Sequence, residues 1–116
     1  MEKPNTIMID RHDHVTLLKI LGDLTSYSES YLEDACRQVD ERTDINNLVI
    51  VFESDAYINS GGIAVLMQML AEFRKRNRSL GIIGLSYHNA KIFKMVGINQ
   101  LATIFGSLDE ALASMG

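Results

Sequence analysis

The sequence predicts an α/β fold, a mixed β-sheet with helices packed on it in the order ββαβαβαβα, forming one domain over residues 1–116. Three observations carry this. Leu48-Val49-Ile50-Val51-Phe52 is an unbroken apolar run of strand length, the pattern of a strand covered on both faces of a parallel or mixed sheet. On either side of it, apolar residues recur at the 3.6-residue period, so helices alternate with strands along the chain. A length of 116 residues with 47% apolar side chains is enough for one core and too short for two.

The elements follow in order. Ile7-Met8-Ile9 and the run from Val15 to Leu21 are apolar and β-branched, and the turn-like Arg11-His12-Asp13-His14 between them makes a hairpin. After Gly22-Asp23-Leu24 the pattern changes to Tyr31, Leu32, Ala35, Cys36 and Val39 on one helical face. Ser26 and Glu29 stand in capping-box relation before it, which predicts a helix over 26–41. The run at Leu48 is the central strand. Ile63, Leu66, Met67, Leu70 and Phe73 then mark a helical core face that ends in Arg74-Lys75-Arg76, charges suited to a helix C-terminus. Residues 80–85 read as a second buried strand, 90–96 as a short helix stopped by Gly97, and 101–105 as a last strand. Ser107 and Glu110 repeat the capping-box spacing ahead of a final helix. Buried positions should include Ile20, Val49, Val51, Leu66, Leu70, Phe73 and Ile82.

Composition narrows the function classes. With 11 Lys+Arg against 15 Asp+Glu the formal charge is -4, which argues against a phosphate-backbone binder, so direct nucleic-acid contact is not expected. No apolar run approaches the ~20 residues of a spanning helix, so no membrane insertion is expected. The single Cys36 cannot close an internal disulfide, and no charged, apolar leader precedes Thr6, so a reducing, cytoplasmic setting is the expectation. His12, His14, His88 and Cys36 form no metal-ligand spacing, and neither a metal nor a cofactor is expected.

The informative segment is Tyr57-Ile58-Asn59-Ser60-Gly61-Gly62-Ile63-Ala64-Val65-Leu66. Two glycines at the start of a helix cost roughly 0.5–1 kcal/mol each relative to Ala, so they imply a special backbone angle or a close approach by another surface. Asn59 or Ser60 can cap the helix, and its amino end favours an anion beside Ser60. The plain alternative is that Ser60 only caps. Val65 and Met69, four apart and off the Ile63/Leu66/Leu70 face, read as an exposed apolar docking patch beside Gly61, or as scattered surface apolars.

Taken with the Gly22-Asp23-Leu24 turn, the stretch Ile92-Phe93-Lys94-Met95-Val96-Gly97-Ile98 and the tail from Ile104 to Leu112, this segment resembles the STAS domain, and more narrowly the bacterial anti-sigma factor antagonists. The likeness covers nearly the whole chain. In that family the segment reads Asp-Ser-Ser/Thr-Gly, and its first Ser is phosphorylated by a partner that is both anti-sigma factor and serine kinase. The resemblance therefore assigns Ser60 as phosphoacceptor, with Asn59 at the Asp place, Gly61 at the second Ser/Thr place and Gly62 as the motif glycine. An acidic residue of the family falls at Thr25, with Asp23 two residues earlier. The resemblance thus implies a partner surface of Asp23, Thr25, Asn59, Ser60, Gly61 and Gly62, to which the helix pattern adds Val65 and Met69. It implies an anti-sigma factor with kinase activity as partner and a phosphatase for reactivation, and leaves room for a homodimer. The implied role is to bind the anti-sigma factor, release sigma factor, and be switched off by phosphorylation.

Competing classes are poorer fits. A nucleophile elbow GxSxG needs Gly where Ile58 stands, and His88, the nearest base in chain order, lies in a turn-like segment, so no catalysis is expected. A phosphoaspartate receiver would use Glu53 or Asp55 but lacks the acidic pair after the first strand. The other non-enzymatic reading is an unphosphorylated STAS scaffold or regulatory subunit of a stressosome-like or lipid-transport assembly.

Overall fold

A computed structural model describes residues 6–42 and 45–115. Strands β1 (Thr6–His12), β2 (Val15–Leu21), β3 (Asn47–Phe52), β4 (Ser79–Ile83) and β5 (Thr103–Ile104) lie side by side in chain order. β1 and β2 are an antiparallel hairpin closed by Asp13-His14, with Asp13 at φ 55°, a conformation Asp tolerates. All later pairings are parallel, with Ile20 opposite Phe52, Ile50 opposite Ile82 and Ile82 opposite Ile104. Parallel neighbours need crossovers, and these are the helices α1 (Glu29–Asp40), α2 (Ser60–Lys75) and α3 (Tyr87–Met95); α4 (Leu108–Met115) closes the order. The predicted element order and the mixed sheet hold.

Strand alternation divides the core in two. Leu18, Ile20, Leu48, Ile50, Phe52, Leu80 and Ile82 point to one face and meet Leu32, Ala35 and Val39 of α1, Leu66, Leu70 and Phe73 of α2, and Phe93 of α3. Phe52 and Phe93 pack edge to face at 5.9 Å. The other face carries Val15, Leu17, Val49 and Ile83 under Ala111 of α4. Of the positions expected to be buried, all are except Val51, which is half-buried. It lies on the second face, where the eight-residue α4 packs mainly on β4 and leaves it partly open.

Several local expectations are corrected. The first helix begins at Glu29, behind a 3-10 turn at Ser26–Ser28, and the reciprocal cap is Thr25 with Ser28 rather than Ser26 with Glu29. Tyr27 N–H donates to Thr25 Oγ1 at 3.2 Å and Thr25 N–H donates to Ser28 Oγ at 3.0 Å. Both capping residues are 1% exposed, so short side chains fit where a Glu carboxylate would be desolvated. Tyr31 is exposed. His88 lies in the first turn of α3, not in a turn, because Ser86 Oγ accepts from Asn89 N–H and starts the helix three residues before 90. The last strand is only Thr103–Ile104. At α4, Ser107 Oγ accepts from Glu110 N–H as expected, while Glu110 reaches back to Gly106 N–H at 2.8 Å.

Candidate functional site

The connections that leave β2 and β3 meet at the amino end of α2. Leu24 N–H donates to Tyr57 O at 2.8 Å and Asn59 N–H donates to Leu24 O at 3.1 Å, so the two run as a short parallel bridge between Leu24 and Ile58. Asp23 adds a side-chain tie, its Oδ1 accepting from Tyr57 N–H at 3.2 Å. This bridge presses the backbone of Leu24 and Thr25 onto the first turn of α2. A Cβ at Gly62 would stand 2.2 Å from Leu24 O and 2.8 Å from Thr25 N, and one at Gly61 would stand 3.0 Å from Ser26 Cβ. The close approach that the paired glycines implied is therefore made by the chain's own backbone.

Asn59 is the N-cap. Its backbone is extended, and its Oδ1 accepts from Gly62 N–H at 2.9 Å while its carbonyl takes the first helical bond from Ile63. The amide oxygen does this as well as a carboxylate would, so the uncharged residue leaves the helix start intact. Ser60 is the first helical residue and is exposed. Its hydroxyl stands at the positive end of a 16-residue helix, before the first intrahelical hydrogen bond, where added negative charge is favourable.

A family model described as STAS domain matches residues 6–111. The chain belongs to the STAS domain family. Among solved structures, its fold is similar to an anti-sigma factor antagonist from Mycobacterium paratuberculosis, with a TM-score of 0.79 at 20% identity over 96% of this chain and 93% of that one. It is also similar to the Bacillus cell fate determinant SpoIIAA, with a TM-score of 0.64 at 10% identity for the phosphorylated form (96% of this chain, 100% of that one). The unphosphorylated form gives 0.66 at 9% identity (95% and 96%). At these identities the likeness is one of fold.

On this STAS domain the residues named from sequence separate into two groups. Asp23, Asn59, Ser60 and Gly61 come together at one edge with at least part of their surface open. Thr25, Gly62, Val65 and Met69 do not present side chains there, and the expectation of an exposed Val65/Met69 patch is corrected. Thr25 is 1% exposed because it caps the 3-10 turn, and Gly62 lies under Leu24. Val65 and Met69 are 8% and 5% exposed because α1 packs along that side of α2.

Sequence reasoning missed an aromatic rim at the same edge. Tyr27, Tyr57 and Tyr87 stand in or beside the three connections that leave β2, β3 and β4, at 78%, 59% and 86% exposure. The loops that carry them are tied together. Asn89 Nδ2 donates to Ala56 O at 3.3 Å, holding the start of α3 against the Tyr57 loop, and Tyr57 is joined to Asp23 and Leu24 as above. The available signal was position, since all three fall just after strands that point the same way, where the loops of a parallel sheet gather. Among the described residues, no group of three or more His, Cys, Asp or Glu is placed to hold a metal ion, and no helix is long and apolar enough to cross a membrane.

Proposed function

We propose that this STAS domain is an anti-sigma factor antagonist whose Ser60 edge docks an anti-sigma factor with serine-kinase activity, releasing sigma factor, and that phosphorylation of Ser60 ends the interaction. The observation that carries this reading is the placement of Ser60: an exposed hydroxyl on the first turn of α2, flanked by the capping Asn59 and by Gly61, at the sheet edge that also carries the exposed tyrosines. A kinase can reach that hydroxyl without unfolding anything. The phosphate brings about -1.5 to -2 charges and three acceptor oxygens, and the helix end accommodates it by roughly 0.3–1 kcal/mol. A partner already packed against Ser60 and the tyrosines would have to desolvate that dianion, so it leaves. A phosphatase then restores the binding form. The role needs no catalytic group in this chain and no cofactor, and it places the protein in transcriptional control in a bacterial cytoplasm.

The test is to incubate the chain with its cognate anti-sigma kinase and ATP and map the product by mass spectrometry. One phosphate on Ser60 in the parent, and none in Ser60→Ala, is the expected result. Phosphate on another residue overturns the switch. Stable binding with no phosphate at all would assign the chain to the scaffold class, as a subunit of a stressosome-like or lipid-transport assembly.

A further inference from the structure

Away from the Ser60 edge, α1 and α2 do not close fully against each other. They leave a groove of about 410 Å³, floored by Leu32 and Cys36 from α1 and by Val65 and Met69 from α2. Small side chains at Cys36 and Ala71 keep it open. Burial and the nearby Asp40 carboxylate push the Cys36 thiol up from its ordinary value, so it stays neutral near pH 7 and the floor is uncharged.

The rim has the opposite character. Glu29 and Glu33 stand one turn apart on α1, both exposed, and Glu72 faces them from α2. Like charges at this spacing on a helix are mildly unfavourable, and among the described residues no Lys or Arg lines the groove. Glu72 pairs with Lys75 at 3.1 Å, an exposed pair that contributes little, while Arg76 and Arg78, the cations nearest the Cys36 end of the groove, are both engaged by Asp40. An apolar floor between carboxylate rims is complementary to a segment with apolar anchors on one face and cations on both flanks. The ridge between two helices seats a third helix by ordinary packing, and the span from Glu29 to Cys36 is about 10 Å, or two turns.

We propose that this groove docks a basic amphipathic helix of a partner protein, its apolar anchors over Leu32, Val65 and Met69 and its Lys or Arg residues against Glu29, Glu33 and Glu72. The groove runs along the α1 flank of α2 beyond the Ser60 edge, and its lining does not include Ser60, Gly61 or Gly62. It also gives Val65 and Met69 a role consistent with their burial, as the floor of a groove.

Cys36 is the only cysteine of the chain and lies in the groove, which makes it the reporter. The probes are two synthetic amphipathic peptides of about 18 residues, ~27 Å as helices, one of Leu and Lys and one of Leu and Glu at the same spacing. The Leu/Lys peptide should slow alkylation of Cys36, read by mass spectrometry, and the Leu/Glu peptide should not. Protection should weaken as salt rises. Glu33→Lys and Glu72→Lys, both at exposed positions, should each weaken the protecting affinity about tenfold, the equivalent of ~1.4 kcal/mol. Asp109→Lys on α4 should leave it unchanged. Equal protection by both peptides, or charge reversals at Glu33 and Glu72 that change nothing while thermal unfolding shows the variants folded, overturns the proposal. So does protection that grows with the protein's own concentration, since the groove would then belong to a second copy.

Discussion

At its carboxyl end α2 runs into Arg78, and at its amino end it begins with Ser60; the two ends treat polar groups in opposite ways. Arg78 is 8% exposed, and each nitrogen of its guanidinium makes a hydrogen bond: Nε donates to Ile45 O at 3.0 Å, Nη1 to Asp40 Oδ1 at 2.8 Å and Nη2 to Val39 O at 3.3 Å, with the Phe73 ring 5.7 Å away. It takes up the end of α1, the approach to β3 and the end of α2 in one contact. The Arg78 guanidinium itself is turned inward, beneath the exposed Arg74, Lys75 and Arg76. At Ser60 the interior work is done by neighbours, with Asn59 capping and Gly62 packed on Leu24, and the hydroxyl itself is left open. A stable domain needs its buried charge satisfied, whereas a switch needs a group whose chemistry can change without the fold noticing.

That division is breakable by mutation. The largest effect should come from Arg78→Met, which leaves Ile45 O without the Arg78 donor, Val39 O with only backbone N–H partners, and Asp40 with Arg76 at 3.3 Å and the weak Cys36 thiol donor. Chemical denaturation should show a loss of about 3 kcal/mol, with binding of the folded fraction unchanged. Next is Gly62→Ala: a methyl 2.2 Å from a backbone oxygen cannot be relieved by a side-chain rotation, so about 2–3 kcal/mol should be lost, and binding should fall too because the β2 and β3 connections are pushed apart. Asn59→Ala should cost about 1 kcal/mol by removing the cap, read as a lower melting temperature. Smallest is Ser60→Glu, which should shift stability by less than ~1 kcal/mol, in the favourable direction, because a carboxylate at the first turn suits the helix dipole.

Much of this was readable from the residues, and what was missed has a common cause. The order of elements could be read because Leu48–Phe52 and the helical stripes are local patterns. The paired glycines were correctly singled out, but what approaches them is Leu24–Ser26, some 37 positions earlier, and a periodicity argument sees only one element at a time. Arg78 and Asp40 are 38 positions apart and equally invisible. Val65 and Met69 fell outside the stripe drawn from Ile63, Leu66 and Leu70, because α2 is covered on two sides. The sheet takes Leu66, Leu70 and Phe73, while α1 takes the neighbouring flank, so the buried arc is wider and leaves Ile63 and Met67 only half-covered. Thr25 and Ser28 form the cap in place of Ser26 and Glu29 because those two side chains point into the molecule while Ser26, Tyr27 and Glu29 point out, and burial, not spacing, chooses between the pairs.

The most direct measurement sets affinity against stability in the same two variants. Parent, Ser60→Glu and Arg78→Met are titrated against the proposed partner, an anti-sigma factor with kinase activity, by calorimetry, and each is unfolded thermally. If the amino end of α2 is the switch and the carboxyl end the clamp, Ser60→Glu loses affinity by about 30-fold or more, the equivalent of a 2 kcal/mol hot spot, with a melting temperature equal to or slightly above the parent's. Arg78→Met, measured well below its own transition, keeps parent affinity while its melting temperature drops. Full affinity in Ser60→Glu, or a loss in Arg78→Met as large as that in Ser60→Glu, would contradict the assignment of the two ends.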